Sequence, residues 1–120
     1  MTIEPEIIEI GKPKPVTRQA VKYQSVRKHG RTTGHTIGVV MGFSEDVWVR
    51  YGTNNRALFD NQIAVIDVGY TPFAQAGDSG SLIVDAVDLA PMALLFATGN
   101  RLTFANPIDQ VLQYFNVTLA

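Results

Sequence analysis

The 120-residue chain contains no cysteine, which removes disulfides and thiolate metal centres together. That composition suits a reducing compartment and slightly favours a cytoplasmic setting without fixing it. Histidine is scarce, with only His29 and His35, and neither has companion ligands at the short spacing a zinc site requires. No metal and no other cofactor is expected. No stretch approaches the ~20 consecutive apolar residues of a membrane span, so no membrane partner is expected. Met1 to Ile10 lacks the basic start and apolar run of a signal peptide. The net charge of −1 exerts no overall pull toward nucleic acid. Acids are also missing locally. Lys12, Lys14, Arg18, Lys22, Arg27, Lys28 and Arg31 follow one another without an intervening carboxylate. A nucleic-acid patch would want interleaved aromatics, and only Tyr23 is there. A solvated strand pair and loop is the expected reading.

What is present reads as β structure almost to the end. The hydrophobic share of 46% and the length suit one domain with a real core. Ile3 to Ile10 reads as an extended connector or edge strand, and Gly11 to Pro15 as a stiff loop, because neither proline can donate to a ladder. Val21 to Arg27 is an expected strand. Ile37, Val39, Met41 and Phe43 then alternate at period two. Ser44 to Asp46 is expected to turn that strand into Val47, Val49 and Tyr51 as a hairpin, with a second turn at Gly52 to Asn55. Ala57 to Tyr70 is a long extended stretch, bent or broken near Asp60-Asn61. Ser81 to Asp85 and Met92 to Ala97 are two more strands. Asn106 is expected to cap a short helix with Pro107 at its first position. Ile108, Val111, Leu112 and Phe115 give that helix one apolar stripe. The pattern predicts an all-β domain: a single, roughly six-stranded antiparallel Greek-key barrel with a short C-terminal helix. Residues 1–20 would form a connector and edge strand, and residues 21–120 the barrel.

The most informative run is Gly77-Asp78-Ser79-Gly80-Ser81-Leu82. Glycine on both sides of the serine lets the backbone turn with φ values that a Cβ resists. Such a turn aims the Gly77 and Ser79 amides at one point, as an oxyanion hole requires. Gly, Asp and Ser also make ordinary turns, so a plain turn serine is the competing reading. The run lacks the lysine of a phosphate-binding loop.

This run entering an apolar strand resembles the nucleophile segment of trypsin-like (chymotrypsin-fold) serine proteases. Upstream, Val26 to Gly38, with Gly30-Arg31-Thr32-Thr33-Gly34 at its centre, is similar to the segment opening the second barrel in bacterial members. Ala93 to Gly99, followed by Phe104-Ala105-Asn106-Pro107-Ile108, resembles the substrate-flanking strand and the run into the closing helix. The resemblance extends from about Ile7 to the C-terminus. It implies Ser79 as nucleophile, Gly77 with Ser79 as oxyanion hole, and Asp78 as support of the turn. In activated members the matching aspartate pairs with a newly cut N-terminal amine.

By the same resemblance, Phe96, Ala97 and Thr98 would flank the substrate. Phe73 would be either the floor of the primary specificity pocket or a plug in an unused one. The family's histidine base and orienting aspartate belong to a first barrel, and this chain begins where the connection between barrels is expected. The implied function is the C-terminal half of a serine endopeptidase, incomplete and inactive without an N-terminal barrel. The alternative is a non-catalytic binding or assembly module that keeps the barrel. Expected partners are a peptide or protein substrate and either the missing barrel or a second copy of the chain; nucleic acid is not expected. His29 is expected to be solvated. His35 is expected to be structural, the sharper alternative being a substitute base for Ser79.

Overall fold

The computed structural model describes residues 2–3, 10–11, 13–14, 16–51, 55–68, 71–99, 101–115 and 118–119, with side chains described outside 2–3, 44–51, 55–60, 114–115 and 118–119. Its strands are β1 (Thr2–Ile3), β2 (Ser25–Gly30), β3 (Gly34–Tyr51), β4 (Asn55–Asp67), β5 (Leu82–Asp85), β6 (Pro91–Gly99), β7 (Leu102–Pro107) and β8 (Thr118–Leu119), with α1 (Ile108–Phe115) after β7. Six of them close a barrel in the order β2-β3-β4-β7-β6-β5, every pair antiparallel. β5 completes the circle against β2 through Val26↔Asp85 and Arg27↔Val84. The expected fold class is the observed one.

Alternation explains the interior. Val26, Lys28 and Gly30 of β2 point inward, as do Thr36, Gly38 and Val40 of β3. With Ile63, Val65, Phe73, Ile83, Met92, Leu95 and Ala105 they fill the barrel. Fully burying an aliphatic or aromatic side chain of this kind is worth about 1.5–3 kcal/mol. α1 lays Ile108, 3% exposed, against β6 and β7.

The details differ from expectation in three places. β3 does not turn at Ser44 to Asp46. It runs on to Tyr51 and stays paired to β4 as far as Tyr51↔Asn55. Register shifts between Val40/Gly42, Gly42/Glu45 and Glu45/Val47 absorb the polar triplet as bulges. The expected break near Asp60-Asn61 is the partner of that irregularity, since Asn61 takes φ 55. β2 starts at Ser25 rather than Val21, because Lys22 and Tyr23 form a turn with Tyr23 at φ 71. Leu102–Pro107 is a strand, so the helix begins at Ile108 and Asn106 and Pro107 end β7 instead of capping α1. Its inward residues, Thr103 and Ala105, are 1% and 0% exposed. The Gly52–Asn54 part of the second expected turn, and most of the Ile3–Ile10 segment, lie outside the described residues. Thr2 and Ile3 pair in parallel with Thr118 and Leu119 of the same chain. The connector is fastened to the barrel where it is described, with the Lys14 amide donating to Leu89 O and the Arg18 amide to Pro91 O.

Candidate active site

Two turns meet at one end of the barrel. Arg31 to Thr33 joins β2 to β3, and Gly77 to Gly80 leads into β5. They are joined through the Asp78 carboxylate, whose side chain is fully buried. Its oxygens accept hydrogen bonds from the amides of Thr32 (2.7 Å), Thr33 (3.2 Å) and Gln75 (2.9 Å), and from Thr33 Oγ1 (2.7 Å). A side chain at Gly30 would have its Cβ inside the Asp78 carboxylate. Gly77 stands at φ 100, with the Thr32 hydroxyl where its Cβ would go, and that hydroxyl donates to Ala76 O at 2.9 Å. The Gly-Arg-Thr-Thr and Gly-Asp-Ser-Gly runs are therefore one structure: the first makes the cradle that holds the second.

Lys28 lies beneath this cradle. Its Nζ donates to Thr33 Oγ1 at 2.6 Å and Gly34 O at 3.0 Å, and sits 3.9 Å from Asp78 Oδ2. It also stands 5.4 Å from the centre of the Phe73 ring. The expectation that Lys28 belongs to a solvated basic stretch is corrected here, since it is 0% exposed. Burial lowers the Lys28 pKa, and the neighbouring Asp78 charge opposes that shift. For Asp78, burial alone would raise the pKa. The bonds from Thr33 Oγ1 and from the Gln75, Thr32 and Thr33 amides outweigh it and bring the carboxyl down to about 2.

The anchored aspartate fixes the backbone around it. The Asp78 amide donates to Gln75 O, the Gly80 amide to Leu95 O, and the Ser81 amide and hydroxyl both to Asp78 O. The Gly77 and Ser79 amides find no acceptor among the described residues. Ser79 is exposed, and its hydroxyl makes one long bond to Phe96 O at 3.4 Å. That carbonyl belongs to a bulge: Leu95 pairs with Ala105 and Ala97 with Phe104, which leaves Phe96 as the extra residue. A hydroxyl beside two uncommitted amides is what nucleophilic attack with oxyanion stabilisation needs.

A cleft of about 300 Å³ opens beside this turn. One wall is Pro72, Ala74, Gln75 and Ala76, running up to Gly77; the other is Thr98 and Gly99 with Arg101, Leu102 and Thr103, and Asp67 lies between. Phe73 does not line it. Its ring is fully buried in the barrel beneath Lys28, so a group entering the cleft meets its neighbours instead. Ala97 is partly buried and Thr98 exposed. The slightly larger cleft, about 330 Å³, lies between Arg18, Phe43, Asn61 and the start of α1, and shares no residue with this site. His35 faces outward from β3 directly opposite His29 on β2, and no hydrogen bond joins it to Ser79.

The sequence marks the turn but not the roles of the residues that secure it: Lys28, Thr32, Thr33 and Gln75. One signal was legible, because Val26, Lys28 and Gly30 share the inward phase of β2.

No protein-family model and no curated protein matches the chain. Solved structures do. A chymotrypsin from Cellulomonas bogoriensis superposes with a TM-score of 0.71 at 19% identity, covering 94% of this chain and 58% of its own. Protease A from Thermobifida fusca gives 0.71 at 22% identity, covering 94% and 59%. A glutamic acid specific serine protease that uses a histidine triad in substrate binding gives 0.68 at 20% identity, covering 98% and 59%. The chain therefore has the fold of one barrel half of the chymotrypsin-like serine proteases, and it spans under two thirds of the length of these structures.

Proposed function

We propose that this chain is the nucleophile-bearing half of a serine endopeptidase. Ser79 Oγ attacks the scissile carbonyl carbon while its proton passes to a base, and the Gly77 and Ser79 amides receive the resulting oxyanion. The same proton goes to the leaving amine as the C–N bond breaks, and water then releases the acyl group from Ser79. The base and the acid that orients it come from a separate domain. One observation carries this reading: a buried carboxylate with four donors holds a turn whose serine is exposed and whose flanking amides are uncommitted. A plain turn serine needs no such anchor. Substrate would lie along β6 beyond Leu95, where the β5 ladder has ended and β7 covers one side only. The test is hydrolysis of activated p-nitrophenyl esters, with imidazole added as a diffusible base. Imidazole should raise the rate several-fold above that of the Ser79→Ala variant, while casein stays intact without a partner domain. Equal rates for the two proteins would overturn the assignment.

A second reading, an assembly module, is favoured by the outward face of the β3–β4 pair. Ile37, Met41, Phe43 and Val68 are 49%, 37%, 52% and 48% exposed there, apolar side chains that a partner surface would cover. Sedimentation equilibrium separates the cases: self-association at micromolar concentration supports assembly, and a 13.1 kDa monomer argues against it.

A further inference from the structure

Resting on that reading of Ser79, we propose that the cleft beside it selects an uncharged substrate side chain, because Arg101 caps the carboxylate of Asp67 that would otherwise draw a basic one. Both walls lead away from the nucleophile: Gln75 and Ala76 immediately precede Gly77, and Thr98 and Gly99 follow Phe96, whose carbonyl accepts the Ser79 hydroxyl. The side chain next to the attacked carbonyl enters here.

Among the described residues of the lining, Asp67 is the only acid and Arg101 the only base. They are engaged with each other. Asp67 Oδ1 accepts the Phe73 amide at 2.8 Å, and Oδ2 forms an ion pair with Arg101 Nε at 3.7 Å. The Asp67 side chain is 11% exposed and the Arg101 side chain 68%, so the carboxylate is the inner partner and the guanidinium the outer one. The pairing is built into the sheet. Ile66 of β4 pairs with Leu102 of β7, and one further step of that antiparallel register sets Asp67 opposite Arg101. The rest of the lining is uncharged, with apolar surface from Pro72, Ala74, Ala76 and Leu102.

A lysine entering this cleft would have to displace Arg101 to reach Asp67. A glutamate would bring a second carboxylate against Asp67. Either charge leaves water for a place whose opposite charge is already engaged, so its desolvation is not compensated. A leucine gives up no such hydration and gains contact with the apolar walls. Removing the cap changes the balance. Arg101→Ala takes the counter-charge from Asp67 Oδ2, and a lysine ammonium can then supply it.

The test is a two-dimensional NMR titration of the intact chain with the amides of N-acetyl-Ala-Ala-Leu, -Glu and -Lys. The capped ends leave the side chain as the only variable charge. On the wild-type chain the leucine peptide should bind about five-fold more tightly than either charged one, the size of one partly exposed charge contact. Its shifts should centre on Gln75, Ala76, Thr98 and Gly99. Arg101→Ala should tighten the lysine peptide about five-fold and leave the glutamate peptide weak. Arg101→Lys keeps a cation at the cap and should keep the wild-type order, with unchanged melting for both variants. A lysine or glutamate peptide that matches leucine on the wild-type chain, a lysine peptide that Arg101→Ala does not strengthen, or no saturable binding at all would overturn the proposal. None of these results touches the nucleophile reading, which Ser79-dependent ester hydrolysis tests separately.

Discussion

Lys28 Nζ lies 3.9 Å from Asp78 Oδ2, and both side chains are completely shielded from water. Each charge has its own hydrogen bonds as well, but they are unequal. Asp78 has four donors apart from Lys28, whereas Lys28 has two oxygen acceptors apart from Asp78. The barrel end therefore depends more on the carboxylate than on the ammonium.

The asymmetry fixes the order of two variants. Asp78→Ala leaves a buried ammonium without its counter-charge and several donors without acceptors, and should cost about 3–5 kcal/mol. Lys28→Met removes a charge and supplies a similar apolar volume, leaving Asp78 its donors, and should cost about 1–2 kcal/mol. Urea denaturation of the two variants checks this. The reverse order would show that the ion pair, not the hydrogen-bonded cradle, holds the turn.

Acid should loosen the same region. The folded Asp78 pKa is about 2, below the ordinary 3.8, so the unfolded chain binds the proton more readily. The stabilisation is complete above about pH 5 and is lost as pH falls toward 2, amounting to about 2 kcal/mol. Asp85 is depressed too, through bonds from the Asp88 amide, Gln24 and the Val87 amide and the nearby Arg18 that outweigh its burial, so it adds in the same direction. Denaturation curves between pH 2 and 6 should steepen in this sense and flatten in Asp78→Asn. An Asp78→Asn profile as steep as the wild type would remove Asp78 as the cause.

Gly30→Ala should act at a distance in sequence. Its Cβ would collide with the Asp78 carboxylate, which four donors keep from moving aside. A loss of about 2–3 kcal/mol is expected. It should be accompanied by amide NMR shifts at Gly77 to Gly80, more than forty positions along the chain. Shifts confined to residues near 30 would contradict the coupling of the two turns.

Strand alternation and the Gly-Asp-Ser-Gly spacing made much of this legible in advance, because period-two patterns and glycine turns are local properties. The barrel class and the turn before β5 came from them. Cross-chain accommodation was not legible. Ser44 to Asp46 has the composition of a turn, yet β4 pairs across it and converts it into bulges. Asn106-Pro107 has the composition of a helix start, yet pairing of β7 with β4 and β6 draws it into the sheet. Lys28 sits among six other basic residues and reads as solvated, until Asp78, far along the chain, proves to be its neighbour. Phe73 matches a pocket floor by its distance from Ser79, but the ring turns into the core while its backbone carbonyl accepts from Thr36 Oγ1 at 2.6 Å.

The central claim is that the Asp78-anchored turn presents Ser79 as a nucleophile awaiting a base. Mass spectrometry after treatment with a fluorophosphonate in the presence of imidazole addresses it most directly. Ser79 Oγ should replace fluoride on phosphorus, with imidazole taking the proton. The account predicts one adduct, mapped to the peptide containing Ser79, absent from Ser79→Ala and strongly reduced in Asp78→Ala. An unlabelled chain, or adducts spread equally over Ser25, Ser79 and Ser81, would contradict it.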